Sequence, residues 1–316
     1  MQKVLVTGGA GFIGSHLCKS LLGDGYEVVC LDNLITGSKK NIENLISNPN
    51  FKFIEADVVK TIPSTLDAIR YVFHLASPAS PIDYQNMPLE TLKVNSEGTL
   101  NVLEFAKNSK AKVLIASTSE VYGDPLEHPQ KETYWGNVNS FGSRSCYDEG
   151  KRFAEAATYV YLNKYNVDAR IIRIFNTYGP QMQKDDGRVV SNFINWAINN
   201  ETLKIDGDGS QTRSFCFVSD LVDGIKKAMF AEGTKGEVIN LGNPVEFTVK
   251  ELADKVIELT SSSSEIIYSK EFRPDDPMMR KPDITKARTL LGWEPKIKLE
   301  EGLQKTIEYY RSEKSE

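Results

Sequence analysis

The stretch Thr7-Gly8-Gly9-Ala10-Gly11-Phe12-Ile13-Gly14 follows directly on a short apolar, β-branched run, Lys3 to Thr7, and opens an amphipathic helical pattern. Strand, glycine turn and helix in that order are what the pyrophosphate of a dinucleotide needs. Gly8 permits the tight turn, Gly11 lets backbone N–H groups approach the phosphates, and Gly14 lets the helix lie close on the sheet. The next apolar run, Glu27 to Leu31, leads into Asp32, close to the ~20-residue offset at which a carboxylate receives the ribose hydroxyls of the adenosine half. That carboxylate repels a 2′-phosphate, so NAD is expected over NADP. The bland alternative, a glycine-rich turn beside an ordinary strand-end aspartate, is disfavoured because strand, turn, helix and acid all fall in the required order. Phe12, Ile13 and Asn33 are expected cofactor contacts, as are Val58 and the run Leu75-Ala76-Ser77. Asp57 reads equally well as a residue closing the adenine side or as a plain turn aspartate.

Working outward, further runs at Phe51 to Glu55, Tyr71 to Leu75, Lys112 to Ser117 and Ala169 to Phe175 alternate with helical patterns. Strands separated by helices predict an α/β fold, a Rossmann-type doubly wound parallel sheet. After Tyr178-Gly179-Pro180 the pattern loosens, with turns at Asp206-Gly207-Asp208-Gly209 and Arg273-Pro274-Asp275-Asp276-Pro277. The expected organisation is therefore an NAD-binding domain over residues 1–178 and a smaller α/β substrate lobe, mainly residues 179–316. Two later apolar stretches, Arg213 to Val218 and Glu237 to Leu241, predict that the chain between about 213 and 241 returns to the first domain.

Composition narrows the function. At 316 residues, 40% hydrophobic and 26% charged, the chain falls in the globular class and outside the disordered or fibrous ones. A net charge of -5, with no basic stripe, speaks against nucleic acid as a partner. No apolar run reaches the ~18 residues of a membrane span, and Met1-Gln2-Lys3 runs straight into the first strand with no export leader. Cys18, Cys30, Cys146 and Cys216 show no paired spacing and read as free thiols in a reducing, cytoplasmic location. His16, His74 and His128 never approach metal-ligand spacing, so no metal is expected.

Tyr147 and Lys151 lie four apart on a predicted helix and share a face. Spacing alone proves little, since Tyr310 and Lys314 repeat it in what reads as a solvated carboxyl-terminal tail. Context separates the two pairs. The strand Lys112 to Ser117 ends in Thr118-Ser119-Glu120, and a parallel sheet presents strand carboxyl ends and following helix starts on the cofactor edge. A hydroxyl, a carboxylate, a phenol and an ammonium then converge.

With these residues in place, the chain resembles over its whole length the extended short-chain dehydrogenase/reductases that act on nucleotide sugars. The resemblance implies that Tyr147 is the base at a sugar hydroxyl, that Thr118 hydrogen-bonds the same oxygen and that Lys151 holds the nicotinamide ribose. A phenol near pKa 10 must fall by about three units to serve as base at pH 7, roughly 4 kcal/mol, and a nearby ammonium and the nicotinium charge are the expected sources. Three reactions follow oxidation at C4 in this superfamily. Epimerase sites resemble Ser-x-Ala where this chain has Thr118-Ser119-Glu120, and the 4,6-dehydratases resemble Thr-Asp-Glu. Ser119 cannot protonate a leaving C6 hydroxyl as the dehydratase aspartate does. Decarboxylation needs no such acid, because a C6 carboxylate β to a C4 ketone leaves as carbon dioxide.

Longer stretches are similar to the UDP-glucuronate decarboxylases: Ala76 to Pro81, Ser117 to Pro125, Ser145 to Arg152 and Asp186 to Phe193. That likeness implies a UDP-sugar substrate, UDP-glucuronate converted to UDP-xylose, with Ser119 and Glu120 near the substrate carboxylate and C5. It also implies that Arg280 reaches the sugar or its carboxylate, and that Asn176, Arg188 and Arg213 contact the sugar nucleotide. A homodimer is implied, with helices Pro88 to Lys107 and Tyr147 to Lys164 packed across a two-fold axis. The run Ser140-Phe141-Gly142-Ser143-Arg144 departs from the family's more proline-rich loop, which predicts a looser approach to Tyr147 and leaves Arg144 outside the assigned set. Asp148 and Glu149 read as surface or first-turn acids, and Trp135, Trp196 and Trp293 as packing residues. The rival readings are a 4-epimerase or 4,6-dehydratase on the same fold and a non-catalytic NAD-binding sensor.

Overall fold

The computed structural model describes residues 1–63, 66–269 and 279–313. The first half of the chain runs β1 (Lys3–Thr7), α1 (Phe12–Gly23), β2 (Glu27–Asp32), α2 (Glu43–Ile46), β3 (Phe51–Glu55), β4 (Ile69–His74), α3 (Pro81–Asn86), α4 (Pro88–Lys93), α5 (Thr99–Ser109), β5 (Lys112–Thr118), α6 (Ser145–Tyr165) and β6 (Ala169–Ile174). The strands pair in parallel in the order β3-β2-β1-β4-β5-β6. They read as continuous apolar runs because helices cover both faces of a parallel sheet. Val4 and Val6 belong to one buried cluster and Leu5 to the other, so β1 is the seam between two cores. The strand order reverses between β1 and β4, which opens a crevice at the carboxyl edge.

The second half contributes β7 (Thr177–Tyr178), α7 (Val189–Ile198), β8 (Leu203–Asp206), β9 (Thr212–Ser214), β10 (Cys216–Phe217), α8 (Val218–Phe230), β11 (Val238–Leu241), β12 (Glu246–Thr248), α9 (Val249–Thr260), β13 (Ile266–Ser269), β14 (Met279–Arg280), α10 (Thr285–Leu291) and α11 (Leu299–Ser312). β11 adds to β6 as the seventh parallel strand. The stretch 213–218 stays outside the central sheet, where β10 pairs with β7 and β9 lies between β12 and β14, while α8, which follows, packs on α1, β5 and β6. These short ribbons stand above the carboxyl edge and form the far wall of the crevice.

Several sequence expectations change. The helix read from Pro88 to Lys107 is interrupted by a π-turn at Val94–Gly98 between α4 and α5. Trp293 is buried and donates Nε1–H to Asp220 O at 2.9 Å, but Trp135 is 89% exposed and is no packing residue. Its carbonyl, accepting from Arg152 Nη1 at 2.8 Å, is the part the fold uses. Tyr310 is 1% exposed and donates to Met182 O at 3.0 Å, so it is a core anchor and not a solvated tail. Lys314 and the turn Arg273 to Pro277 lie outside the described residues. Among the described residues no helix is long and apolar enough to cross a membrane.

Candidate active site

The crevice is a cavity of about 780 Å3, and every residue assigned above to cofactor, chemistry or sugar nucleotide lines it. Its floor is the glycine turn. Gly8 has φ +73°, and a Cβ there would stand 2.7 Å from Ala76 N; a Cβ on Gly14 would stand 2.0 Å from Gly8 O. Loop and helix therefore cross at a distance only glycine allows. Gly11 precedes α1 in extended conformation, with no capping side chain among the described residues and no acid in the first turn. The free N–H groups and positive end of the helix suit a phosphate. Asp32 is buried at the end of β2, where Ala10 N–H donates to Oδ2 at 2.9 Å and Leu34 N–H to Oδ1 at 2.8 Å. Burial raises its pKa and these two bonds lower it in part. The aimed carboxylate keeps lone pairs for ribose hydroxyls. Asp57 accepts from Val59 N–H at 2.9 Å and lines the cavity, which suits both of its readings. The residues present fit a bound NAD.

Across the crevice, β5 ends in Thr118, whose Oγ1 accepts from Glu120 N–H at 3.2 Å and caps a 3-10 turn over Ser119–Tyr122. The Thr118 hydroxyl also lies near enough to the Tyr147 phenol to favour its ionised form. Burial pushes the Tyr147 phenol up, with the Thr118 hydroxyl pulling the other way. The Lys151 ammonium lies 5.8 Å from the Tyr147 ring centroid and donates to Ala116 O at 2.9 Å. Burial brings it down to about 8. The expected drop in the phenol's pKa is thus not supplied by the protein alone, because the ammonium sits over the ring and bonds a carbonyl instead of the phenol oxygen.

Glu120 is the centre of a charge cluster. Arg144 Nη2 contacts its Oε2 at 2.5 Å, Arg280 Nη2 donates to the same oxygen at 2.9 Å, and Arg280 Nη1 pairs with Oε1. Burial would raise the Glu120 pKa, but the charges of Arg280 and Arg144 hold it below the usual carboxylate range. Arg280 lies in register beside Arg213 across β14 and β9, so two guanidiniums reach the crevice from one ribbon. Arg188 precedes α7 and is tied through Nε to Asp186 Oδ2 at 2.8 Å. Asn176 offers its backbone carbonyl to Cys216 N–H at 2.9 Å and its side to the cavity.

Three residues were not assigned from sequence. Tyr84, on α3 behind the Ser80 cap and Pro81, lies flat against Tyr147 with ring centroids 5.0 Å apart. Arg144 is buried and clamps Glu120, in contrast to the loose loop expected. Of the two readings given to Asp148, the first-turn acid holds and the surface acid does not, since it is 7% exposed; Glu149, whose side chain is 38% exposed, is a surface acid. A usable signal existed: Arg144, Tyr147, Asp148 and Lys151 follow the i, i+3, i+4, i+7 pattern of one buried helix face.

A dinucleotide-type sheet with a Tyr-x-x-x-Lys pair at its carboxyl edge, opposite a strand-end threonine, is the construction of the extended short-chain dehydrogenase/reductases, which use NAD. The chain belongs to the family described as GDP-mannose 4,6 dehydratase, whose model matches residues 5–306. It is 55% identical over 312 residues to UDP-glucuronic acid decarboxylase 2 of Arabidopsis thaliana, covering 98% of this chain and 68% of that one. It is 52% identical over 312 residues to UDP-glucuronic acid decarboxylase 1 of Xenopus tropicalis, covering 99% and 73%. Among solved structures, UDP-glucuronic acid 4-epimerase from Bacillus cereus, in complex with UDP-glucuronic acid and NAD, superposes with a TM-score of 0.90 at 31% identity over 98% of this chain and 99% of that one.

Proposed function

We propose that this chain is an NAD-dependent UDP-glucuronate decarboxylase that forms UDP-xylose. The observation that carries the reading is the pair of guanidiniums, Arg144 and Arg280, held on Glu120 beside Thr118 and Tyr147. A neutral hexose has no use for two buried cations, whereas a uronate brings the carboxylate they can accept. In the free protein Glu120 occupies both guanidiniums and offsets one of their two charges, so the substrate carboxylate competes with a tethered one.

Gly8, Gly11, Gly14 and Asp32 would hold the adenosine diphosphate half of NAD, and Lys151 the nicotinamide ribose. Bound NAD supplies a two-electron acceptor for sugar C4 and a positive ring charge that favours the phenolate of Tyr147. The Tyr147 oxygen takes the C4 hydroxyl proton, and the Thr118 hydroxyl orients that oxygen. With C4 a ketone, the C5–C6 bond pair flows into an enolate as carbon dioxide departs, and C5 then takes a proton; return to C4 of the hydride that bound NAD would have accepted, with the Tyr147 phenol giving its proton back to the C4 oxygen, completes UDP-xylose with no net redox change. Loss of the carboxylate returns both guanidiniums to Glu120, so the product no longer competes for them. Asn176, Arg188 and Arg213 hold the sugar nucleotide. Cofactor binding falls mainly to residues 1–178 and sugar-nucleotide binding mainly to 179–316.

The chain further acts as a homodimer in the cytoplasm. Leu89 and Leu92 on α4, Leu100 on α5, and Phe153 and Val160 on α6 are exposed large apolar side chains. Phe153 and Val160 are seven apart and share one stripe of α6, and α4 and α5 pack on that helix. Four free cysteines, three of them buried, suit a reducing compartment. Incubation with UDP-glucuronate and mass analysis tests the activity. Loss of one carbon dioxide with UDP-xylose as product supports it; an intact uronate inverted at C4 makes the chain an epimerase and overturns it.

A further inference from the structure

Decarboxylation removes one negative charge from a buried site in mid-reaction, and the neighbourhood of Glu120 contains a group suited to that change. Asp148 follows Tyr147 in the first turn of α6 and is 7% exposed. Its Oδ1 is buried and has no hydrogen-bond partner among the described residues. A buried carboxylate oxygen without a donor is costly, and the cost falls when the carboxyl carries a proton and loses its charge. We propose that Asp148 is a positioning residue that takes up a proton when the substrate carboxylate enters the Arg144–Glu120–Arg280 cluster and gives it back once carbon dioxide has left. This rests on the decarboxylase reading.

Counting the charges shows why. Arg144, Arg280 and Glu120 sum to one positive charge, which an ionised Asp148 cancels in the free protein. A substrate carboxylate then makes the cluster negative unless Asp148 becomes neutral. The groups around Asp148 fit the role. From its own helix come Arg144, Cys146, Tyr147 and Glu149; from the turn after β5, Glu120; from β14, Arg280; from α3, Tyr84. On the side of α4 and the π-turn the buried residues are Thr91, Val94, Asn95 and Gly98, all uncharged, while Glu90 and Lys93 line the cavity. Burial and the Glu120 charge raise the carboxyl to about 7, with Arg144 and Arg280 opposing, so both forms are populated at neutral pH. An incoming carboxylate adds to the Glu120 effect.

The test is calorimetric. The NAD-loaded Tyr147→Phe protein, which binds without turnover, is titrated with UDP-glucuronate or UDP-xylose in buffers of different ionisation enthalpy from pH 6 to pH 8.5. Expected is uptake of close to one proton with UDP-glucuronate at pH 8, falling towards zero at pH 6, and none with UDP-xylose at any pH. Adding Asp148→Asn abolishes the uptake and flattens the pH dependence of affinity, an effect a purely structural role would not produce. Undiminished uptake in the double variant, or equal proton numbers for the two ligands, overturns the proposal. The second comparison stands even if the double variant does not fold. Absence of UDP-glucuronate binding, with no carbon dioxide released by the native protein, overturns the decarboxylase reading itself.

Discussion

Tyr84 and Tyr147 stack face to face, with ring centroids 5.0 Å apart and planes 8° from parallel. The contact joins α3 to the start of α6 and fixes the plane in which the phenol meets Thr118. The Lys151 ammonium lies 5.8 Å from the centroid of the same Tyr147 ring, so the ring's tilt depends on the Tyr84 stack.

The stack is expected to matter for turnover more than for folding. Aromatic pairs contribute about 0.5–1.5 kcal/mol beyond their buried area. Tyr84→Leu should lower kcat about tenfold, the equivalent of ~1.4 kcal/mol, with NAD affinity unchanged. The Tyr84 hydroxyl is buried without a partner among the described residues. Tyr84→Phe keeps the ring and removes that unsatisfied group, so it should raise stability by about 1 kcal/mol. Chemical denaturation, steady-state kinetics and NAD titration read the three quantities, and a Tyr84→Leu protein with native kcat would dissociate the stack from catalysis.

Two glycines of α1 make opposite predictions. A Cβ at Gly14 would overlap Gly8 O and come within 2.8 Å of Gly9 Cα, all backbone, so Gly14→Ala must push the helix off the nucleotide loop. NAD binding should be lost and thermal stability should fall. A Cβ at Gly23 meets nothing within 4 Å. Gly23→Ala should therefore stabilise by about 0.5–1 kcal/mol through the unfolded chain, with NAD binding intact. Equilibrium dialysis with NAD and thermal melts of both variants check this.

Lys151 should weaken the fold it serves. Its ordinary value is 10.5 and burial brings it to about 8. Above pH 10.5 the group is neutral in folded and unfolded chains alike. As pH falls from 10.5 to 8 only the unfolded chain gains the proton, and below pH 8 the folded chain must carry a buried charge. The full cost is about 3 kcal/mol at ~1.4 kcal/mol per unit, less about 1 kcal/mol for the bond to Ala116 O. Lys151→Met should be inactive yet more stable than the native chain at pH 7, with the difference closing between pH 8 and pH 10.5. Urea denaturation at pH 7 and pH 10 decides it, and a less stable variant at pH 7 would contradict the sign.

The nucleotide half was legible in sequence because its signals are local. A glycine turn, a strand-end acid and β-branched runs each report the backbone they occupy, and the first six strands lie where those runs fall. Local spacing also found Tyr147 and Lys151. It failed where several elements meet. Asp148 was legible as a first-turn acid but not as a buried one, because only one face of α6 was taken to be covered, while α3, α4, α5 and the turn after β5 pack around the helix start. Trp135 was judged by its size, yet only its carbonyl is engaged. The stretch 213–218 reads as a buried strand, and nothing local tells that it divides between two small ribbons, since β11 already occupies the edge beside β6.

The apolar stripe on α4, α5 and α6 gives the last prediction. Leu89 and Leu92 stand one turn apart, and Leu100 follows beyond the π-turn, whose wider turn shifts the register along the rod. Phe153 and Val160 face outward from the same two-layer wall. A second copy related by a two-fold axis would bury both sets against each other, α6 against the partner's α4 and α5 or its own counterpart. Leu92→Asp with Val160→Asp places four carboxylates in that dimer interface, each desolvated without a partner. Size-exclusion chromatography with light scattering should give twice the chain mass for the native protein and a single chain mass for the double variant. The far-ultraviolet spectrum should be unchanged, since both positions are exposed in the single chain. A native protein of single-chain mass at micromolar concentration would show that the stripe is covered by something other than a second copy.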